Sequence, residues 1–421
     1  MLRLLGPVGV SSGMSQHAVL SEGGAAWRWL PCTHSELRLD LTLGCGQSFR
    51  WTETSKGHWT GVMGGRVWTL TQTADRLWFH RYSTQPGPRE GSEVVTPEHE
   101  EEEDGKDEEA LRDYFQLKVQ LGGLYQGWGA VDPHFKHTAL SFPGVRMLRQ
   151  DPTECLFSFI CSSNNHVSRI QGMVGRLCQR LGEPLCQLGT ETYHTFPSLH
   201  RLAEEGVEEC LRALGFGYRA RFLHQSACHI LDMKGPDWLA SLRGVAYPEA
   251  RSALCALPGV GLKVADCVCL MSLDKLGVVP VDTHVWQIAR RHYLPELGSA
   301  QRSLTPALNQ RIGDFFRQLW GPYAGWAHSV LFCADLKKFQ KLKVEKPSSE
   351  EEVKKEGGRE EEVKKEKGRK RRSEGDVKTG RGREKQSKGE VKTERGSEGQ
   401  NETKRVKEIR VTKVKKERES E

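Results

Sequence analysis

The sequence predicts an α+β protein in which an antiparallel β-sheet N-terminal domain packs on an all-helical domain, followed by a disordered charged tail. Three observations predict it. Between Glu36 and Phe79, short runs such as HWTGV, RVWTLTQ and RLWFH alternate apolar and polar residues between Gly, Ser, Lys and Asp breaks. Period-two runs rich in Trp, Phe, Val and Thr mark strands with one buried face. From Leu111 to about Leu273 the apolar period lengthens toward 3.6, the spacing of amphipathic helices. From 341 to 421 there are 28 Lys/Arg and 20 Asp/Glu but no Cys, Trp, Tyr or Phe, too little apolar surface to offset the entropy of ordering.

Residues 1–29 are expected to be a flexible N-terminus. Arg3, several Ser and Gly, and no acid before Glu22 give it a weak likeness to a mitochondrial transit segment. Residues 30–150 are assigned to the sheet domain, with strands in LRLDLTL, SFRW, HWTGV, RVWTLTQ and RLWFH. The span 84–110 interrupts it as a solvated, disordered insert, because it carries 11 acids against Arg89 and Lys106. Residues 151–340 form the helical domain, with helices expected in CLFSFICSSNNHVSRIQGMVGRLCQRL, SLHRLAEEGVEECLRALG, YRARFLHQSACHILDM, PEARSALCAL and LKVADCVCLMSL. The tail, 341–421, repeats EEVKKE and carries KGRKRRS from Lys367 to Ser373. That run is a candidate nuclear import signal as well as an ordinary solvated charge run. The nucleus is the expected location, with the mitochondrion second.

The whole chain has 62 Lys plus Arg against 55 Asp plus Glu, yet residues 1–340 hold 34 bases and 35 acids, so the surplus belongs to the tail. With the acidic insert set aside, the body has 32 bases and 24 acids. That balance suits an anionic partner such as nucleic acid, and equally a mildly basic enzyme without one. No run reaches the roughly 18 to 20 apolar residues of a membrane span. The 12 cysteines include no C-x-x-C pair, which points to buried thiols in a reducing compartment, with neither a disulfide framework nor a zinc knuckle.

The chemistry concentrates in ALCALPGVGLKVADCVCLMSL, residues 253–273. An apolar helix ends at Leu257, Pro258-Gly259-Val260-Gly261 makes a tight turn that glycines tolerate easily, and a second helix begins near Lys263. Its first-turn amides have no internal partner, so the hairpin can hold a phosphate without reading sequence, or be an ordinary helical corner. Nineteen residues on, Asp282 stands where an N-cap belongs, in GVVPVDTHVWQIARR; capping alone would account for it.

The hairpin LPGVGLKVAD, the Gly277, Pro280 and Asp282 element and the lysine between them resemble the helix-hairpin-helix superfamily of base-excision DNA glycosylases. Within it, LFSFICSSNN, LGFGYRAR, GQSFRW and WGPYAGWA are most similar to vertebrate-type 8-oxoguanine DNA glycosylases, over roughly residues 30–337. The resemblance implies a bifunctional glycosylase/lyase acting on 8-oxoguanine opposite cytosine in duplex DNA, as a monomer, with no metal or organic cofactor. It makes Lys263 the amine that attacks the sugar C1′ and forms a Schiff base, and Asp282 the carboxylate that steadies the cationic sugar. An ordinary lysine, with pKa near 10.4, is a poor nucleophile at neutral pH; a helix N-terminus and a dry pocket both disfavour its ammonium.

The resemblance also assigns the pocket for the everted base. Phe332 and Cys267 sandwich it, and the carbonyl of Gly46 approaches N7, which becomes a donor when C8 is oxidised. On local sequence alone, core packing explains Phe332 and Cys267, and a strand-end turn explains Gly46. Asn164 fills the vacated space, Arg169 and Arg219 hold the orphan cytosine, and Tyr218 is the wedge; as bland alternatives, Asn164 caps a helix and both arginines are solvated. Gly259, Gly261, His284 and Gln287 fall on the DNA-contacting side. Departures from the family pattern are His166 in an asparagine run, His328 where glutamine reads the Watson–Crick edge, the insert and the tail. Only Cys333 follows Cys269, so no iron–sulfur cluster is implied. A glycosylase for alkylated bases and a non-catalytic damage-binding protein are the competing readings; Lys263 argues against both.

Overall fold

The computed structural model describes residues 17–20, 27–83, 97–297 and 303–342, with backbone alone over 97–104. A five-stranded antiparallel sheet comprises β1 (Arg28–Pro31), β2 (Trp51–Ser55), β3 (His58–Met63), β4 (Arg66–Gln72) and β5 (Arg76–Tyr82), in the order β1-β5-β4-β3-β2. The runs expected at 58–62, 66–72 and 76–80 are strands, whereas SFRW contributes only Trp51 and β1 went unpredicted. LRLDLTL is not a strand; it contains the helical turn α1 (Leu39–Thr42). Leu37, Leu39 and Leu43 enter the sheet core while Leu41 enters the helical core. A strand would send all four to one side, and a helical turn divides them.

The sheet is buried on both faces rather than one. Trp51, Trp59, Trp68, Leu70 and Phe79 pack beneath Leu111, Tyr114 and Phe115. On the other face Val62 and Val67 meet Leu188 of a hairpin formed by β6 (Pro184–Leu188) and β7 (Glu191–His194). Threonines on that face are satisfied across strands, with Thr60 and Thr69 hydroxyls 2.7 Å apart. This accounts for the near-continuous burial of β3 and β4, which alternation alone does not anticipate.

The acidic insert is also corrected in part. Residues 97–110 begin the helix α2 (Pro97–Tyr114), and 84–96 lie outside the described residues. Asp107 is fully buried among Arg28, Arg66 at 2.8 Å and Arg81 at 2.9 Å. Three sheet arginines thus hold α2 through one carboxylate, a pairing that a count of acids cannot reveal.

The helices continue with α3 (Leu121–Val131), α4 (Pro133–Ala139), α5 (Pro152–Ile160), α6 (Val167–Leu181), α7 (Leu199–Ala203) and α8 (Val207–Ala213). After them come α9 (Arg219–Met233), α10 (Trp238–Ser241), α11 (Tyr247–Cys255), α12 (Leu262–Ser272), α13 (Thr283–His292), α14 (Pro306–Trp320) and α15 (Ala324–Asp335). Starts are encoded locally: Asp132, Asp151 and Thr305 cap α4, α5 and α14, each followed by Pro, a residue pre-set for the first helical position. Leu121, Trp128, Phe135, Phe142 and Met147 all join the helical core, as do Leu41, Cys45 and Phe49. Residues on both sides of 150 share the helical core, and sheet and helices cluster as one compact unit. The charged tail lies outside the described residues from 343 onward.

Arg146 ties these layers together. Its guanidinium, fully buried, donates to the carbonyls of Phe115 (2.8 Å), Glu36 (2.9 Å), Gln116 (2.7 Å) and Val119, and to Glu36 Oε2 at 3.0 Å. Burial lowers its pKa against the pull of Glu36. The Arg146 carbonyl in turn accepts from Gln47 Nε2 at 2.8 Å. Arg146→Met preserves much of the volume and orphans these buried acceptors, and breaking such a buried network costs about 3–5 kcal/mol. Urea unfolding is expected to show a loss of that size with an unchanged m-value.

Candidate active site

The hairpin forms because two of its residues answer different demands. Gly259 has φ +76°, and a methyl there would sit 2.5 Å from the Phe222 ring of α9, so backbone and packing both require glycine. Gly261 has φ −99°, ψ −179° and would meet nothing within 4 Å. The turn therefore needs glycine at 259 and not, conformationally, at 261. Gly261 caps α12 without a side-chain hydrogen bond, which leaves the first amides of α12 without internal partners. Ser226 of α9 fixes the hairpin by donating to the Pro258 carbonyl at 2.9 Å.

Lys263 lies in the first turn of α12. Its Nζ donates to Ser162 Oγ at 3.3 Å and stands 5.0 Å from the Phe159 ring centroid, while Ser162 Oγ donates to the Phe159 carbonyl at 2.7 Å. Asp282 caps α13, as its position predicts, by accepting from His284 N at 2.9 Å and Val285 N at 3.0 Å. Both bonds use Oδ1. Lys263 and Asp282 line the same cavity of about 50 Å³, with Gly46, Cys267, His328 and Phe332 around it. It opens at Gly46, Lys263, Asp282 and Phe332 onto a cleft of about 670 Å³, to which Asn164, Gly261 and His284 contribute. A second cleft of about 620 Å³, beside Arg50, Gln171 and Tyr193, contains none of these residues.

The inner cavity is dry-walled and electrically neutral at its back. Cys267 is buried, which pushes its thiol up to about 11 although Lys263 opposes the shift. His328 is 6% exposed, and neither ring nitrogen has a hydrogen-bond partner. Burial drives its pKa down to about 4, with Asp282 opposing. Phe332 sits between two imidazoles, 6.0 Å from both His284 and His328. Gly46 has φ +82°, and a methyl there would press on Val167 at 3.0 Å.

Asn164 has φ +48° and is exposed; it does not cap α6. That cap is His166, whose Nδ1 accepts from Arg169 N at 3.4 Å. The two arginines differ: Arg169 is exposed, whereas Arg219 is 4% exposed and donates to the carbonyls of Ser163 and of Asn164 (3.3 Å). The idea that both are solvated fails for Arg219. Tyr218 is half-exposed, donates to Ser163 O at 3.2 Å and packs edge-on against Phe222. Gln287 is exposed one turn beyond His284. Among the described residues no three His, Cys, Asp or Glu side chains converge as a metal site.

Sequence reasoning missed a buried relay behind the site. Asp266, one turn beyond Lys263, takes Arg251 at 2.9 and 3.0 Å and the Tyr247 hydroxyl at 2.9 Å. Arg251 also donates to Asn309 Oδ1 at 2.9 Å, and Asn309 Nδ2 donates to the Val281 carbonyl at 3.2 Å. Ser162 was missed as well, although it lies inside the quoted LFSFICSSNN; nothing in that stretch singles it out from its neighbours.

A hairpin presenting a lysine beside an N-cap aspartate defines a class. Residues 157–311 match the HhH-GPD superfamily of base excision DNA repair proteins. Residues 29–156 match the N-terminal domain of 8-oxoguanine DNA glycosylase. The chain is 41% identical over 317 residues to the N-glycosylase/DNA lyase OGG1 of Arabidopsis thaliana, covering 75% of this chain and 81% of that one. It is 36% identical to the N-glycosylase/DNA lyase of Saccharomyces cerevisiae, over 73% of this chain and 85% of the relative. A solved complex of Clostridium acetobutylicum 8-oxoguanine glycosylase/lyase with duplex DNA containing cytosine opposite 8-oxoG superposes with TM-score 0.60 and 26% identity, over 73% and 93% of the two chains. The protein belongs to the N-glycosylase/DNA lyase family of 8-oxoguanine DNA glycosylases.

The buried imidazole gives a pH signature. Below its unfolded value near 6.5, the unfolded chain binds a proton that folded His328 refuses down to about 4, so stability falls as pH drops through that window, by up to roughly 3 kcal/mol. His328→Gln is expected to lack this component. The difference between wild-type and variant unfolding free energies should widen in favour of the variant from pH 6.5 to 4.

Proposed function

We propose that the protein excises 8-oxoguanine paired with cytosine from duplex DNA and then nicks the strand, with Lys263 as nucleophile. The convergence of Lys263 and Asp282 on one cavity supports this most directly. The target nucleotide leaves the stack, because C1′ is out of reach inside a duplex. The neutral Lys263 amine attacks C1′ as the bond to N9 breaks, and the departing base takes the bonding electrons and a proton. Loss of the amine proton and ring opening give a Schiff base at C1′. Removal of a C2′ proton then expels the 3′ phosphate by β-elimination. Asp282, its Oδ1 fixed by two amides, places negative charge beside the cationic sugar; capping and chemistry are served by one side chain.

Recognition follows from the walls. The Gly46 carbonyl accepts from N7–H of the oxidised base and repels the N7 lone pair of guanine. Phe332 and Cys267 bracket the base plane. His328, held neutral by burial, offers one donor and one acceptor to the Watson–Crick edge, where the family's glutamine offers both on one side. With its pKa near 4, it does not titrate between pH 7 and 5.5, so no acid loss of excision in that range is assigned to it. A cavity of about 50 Å³ holds a few waters and not a purine, so base entry requires Phe332 and its neighbours to give way. Asn164 and Tyr218 fill and buckle the emptied stack, Arg169 and Arg219 take cytosine, and Gly259, Gly261, His284 and Gln287 face the phosphates. Arg219 leaves two backbone carbonyls to do so. The KGRKRRS run supports import to the nucleus, and the N-terminal segment supports a mitochondrial pool. The tail's 28 bases against 20 acids add salt-sensitive affinity for DNA.

Borohydride trapping on an 8-oxoguanine:cytosine duplex is expected to give a covalent adduct with wild type and none with Lys263→Gln, which still binds. An equally strong adduct from the variant removes Lys263 from the reaction. In single-turnover excision, Arg219→Ala should narrow the preference for cytosine over other opposite bases by roughly 1–3 kcal/mol, the range of a good base contact. A uniform slowing with every opposite base would make Arg219 a support for the 163–164 turn instead.

A further inference from the structure

The hydroxyl that Lys263 bonds is oriented by a helix end. α5 stops at Ile160, so the Phe159 carbonyl is among its last four, which have no partner further along the helix. The chain turns back to meet it at Ser162, whose amide donates to that carbonyl at 3.0 Å and whose hydroxyl donates to it at 2.7 Å. A serine hydroxyl has one proton and two lone pairs. With its proton committed to Phe159 O, Ser162 Oγ meets Lys263 Nζ only as an acceptor, at 3.3 Å.

Phe159 supplies a second acceptor. Its buried ring is held edge-on against Phe49 at 5.6 Å, and Lys263 Nζ stands over its face, 5.0 Å from the centroid. An aromatic face carries negative charge, so it attracts an N–H and repels a lone pair. A neutral amine points its Cε bond, two hydrogens and one lone pair in four roughly tetrahedral directions. Cε belongs to the lysine stem, and two of the other three directions are met by acceptors at the end of α5. The remaining one is open to the space that Lys263 shares with Gly46 and Asp282.

We propose that Ser162 is a positioning residue for Lys263: its hydroxyl, together with the Phe159 ring, holds both N–H groups of the neutral amine toward the end of α5 and so presents the lone pair to the sugar C1′. This rests on the reading of Lys263 as the nucleophile. During attack the lone pair becomes the new N–C1′ bond, the bond to the leaving group breaks, and nitrogen acquires positive charge while its hydrogens stay on the Ser162 side. Ser162 does not take the amine proton, because its own proton is held by a carbonyl, which is no base. Its role is orientation. Without the hydroxyl, a flexible four-carbon stem leaves the amine free to turn its lone pair away from the sugar.

The full-length protein is tested by borohydride trapping, at saturating protein, on an 8-oxoguanine:cytosine duplex and on a duplex with an abasic site opposite cytosine. The abasic site offers C1′ as an aldehyde and needs no base recognition; the amine adds to it, water leaves, and the same Schiff base is trapped. With Ser162→Ala the rate of adduct formation is expected to fall roughly tenfold or more on both duplexes, as for a misplaced reacting group, while duplex affinity is retained. Ser162→Thr, which restores the hydroxyl, is expected to recover most of the rate. A merely structural role would read out elsewhere, because Tyr218 and Arg219 bond the carbonyls of Ser163 and Asn164, and a loosened turn would alter the preference for cytosine. Abasic trapping by Ser162→Ala as fast as by wild type overturns the proposal, as does a Ser162→Thr variant as slow as Ser162→Ala, or a loss confined to opposite-base preference. A wild-type protein that forms no adduct, or a Lys263→Gln variant that forms one, refutes the nucleophile reading itself and this role with it.

Discussion

A buried guanidinium has to be satisfied completely or it costs more than it contributes, and Arg146 meets that demand by binding three parts of the chain at once. Its donors reach Glu36 on the sheet side and Phe115, Gln116 and Val119 where α2 hands over to α3. Glu36 spends its carboxylate partly on Arg146 and partly on the Leu121 and Gly122 amides, at 2.8 and 3.0 Å. Order then passes to the base cavity. Gln47 is held by Arg146 O and Leu148 N, and its own carbonyl accepts from Gln150, whose amide binds Met271 O on α12. The segment carrying Gly46 is thus placed against α12 by hydrogen bonds that the sheet, α2 and the helical core share.

The opposite wall is organised by the same principle. Lys263 and Asp282 sit on different helices, and their relative position depends on what fixes α12 to the segment before α13. Asp266, Arg251 and Asn309 make that link, ending on the carbonyl next to Asp282. Burial raises Asp266 to about 6, with Arg251 restraining the rise. The carboxylate is useful only while its partner stays in place, so the relay holds one geometry or none. A rigid frame suits a reaction in which an ångström of misplacement is worth orders of magnitude in rate.

Much of this was legible from sequence because it rests on local rules. The 3.6-period runs, the PGVG turn and the Asp282 cap all follow from backbone chemistry within a few residues. What was not legible depends on partners far away in the chain. LRLDLTL reads as a strand until its leucines must serve two cores. The acids of 97–110 read as solvated until Asp107 finds three arginines of the sheet. Arg219 reads as a surface cation, although the turn at 163–164 takes it up from 55 residues away. Gly261 looks like an obligatory turn glycine, but its extended φ shows that only open space over the cleft, not backbone conformation, singles it out. The family resemblance chose site residues that physical reading of single positions could not separate from core.

His328 and Arg219, which the proposed function assigns to the flipped base and to the orphan cytosine, both carry buried side-chain nitrogens without a hydrogen-bond partner, while others, such as those of Trp286 and Trp326, belong to neither role. Both nitrogens of His328 are buried without partners, as is Nε of Arg219, and each such orphan costs roughly 1–3 kcal/mol. A core would replace them with carbon. Their persistence is reasonable if a ligand completes them: the Watson–Crick edge of an everted base for His328, and the acceptor edge of cytosine for Arg219. Discrimination then follows from the same cost, because a base that enters without matching the donor and acceptor of a neutral imidazole leaves the orphan unmet and adds its own. Under the proposed function, Phe332 and Cys267 supply affinity that any flat base could share. In that reading the choice among bases falls to the few polar groups held dry, while the Arg146 and Asp266 networks keep the Gly46 segment and the Lys263–Asp282 pair in position around them.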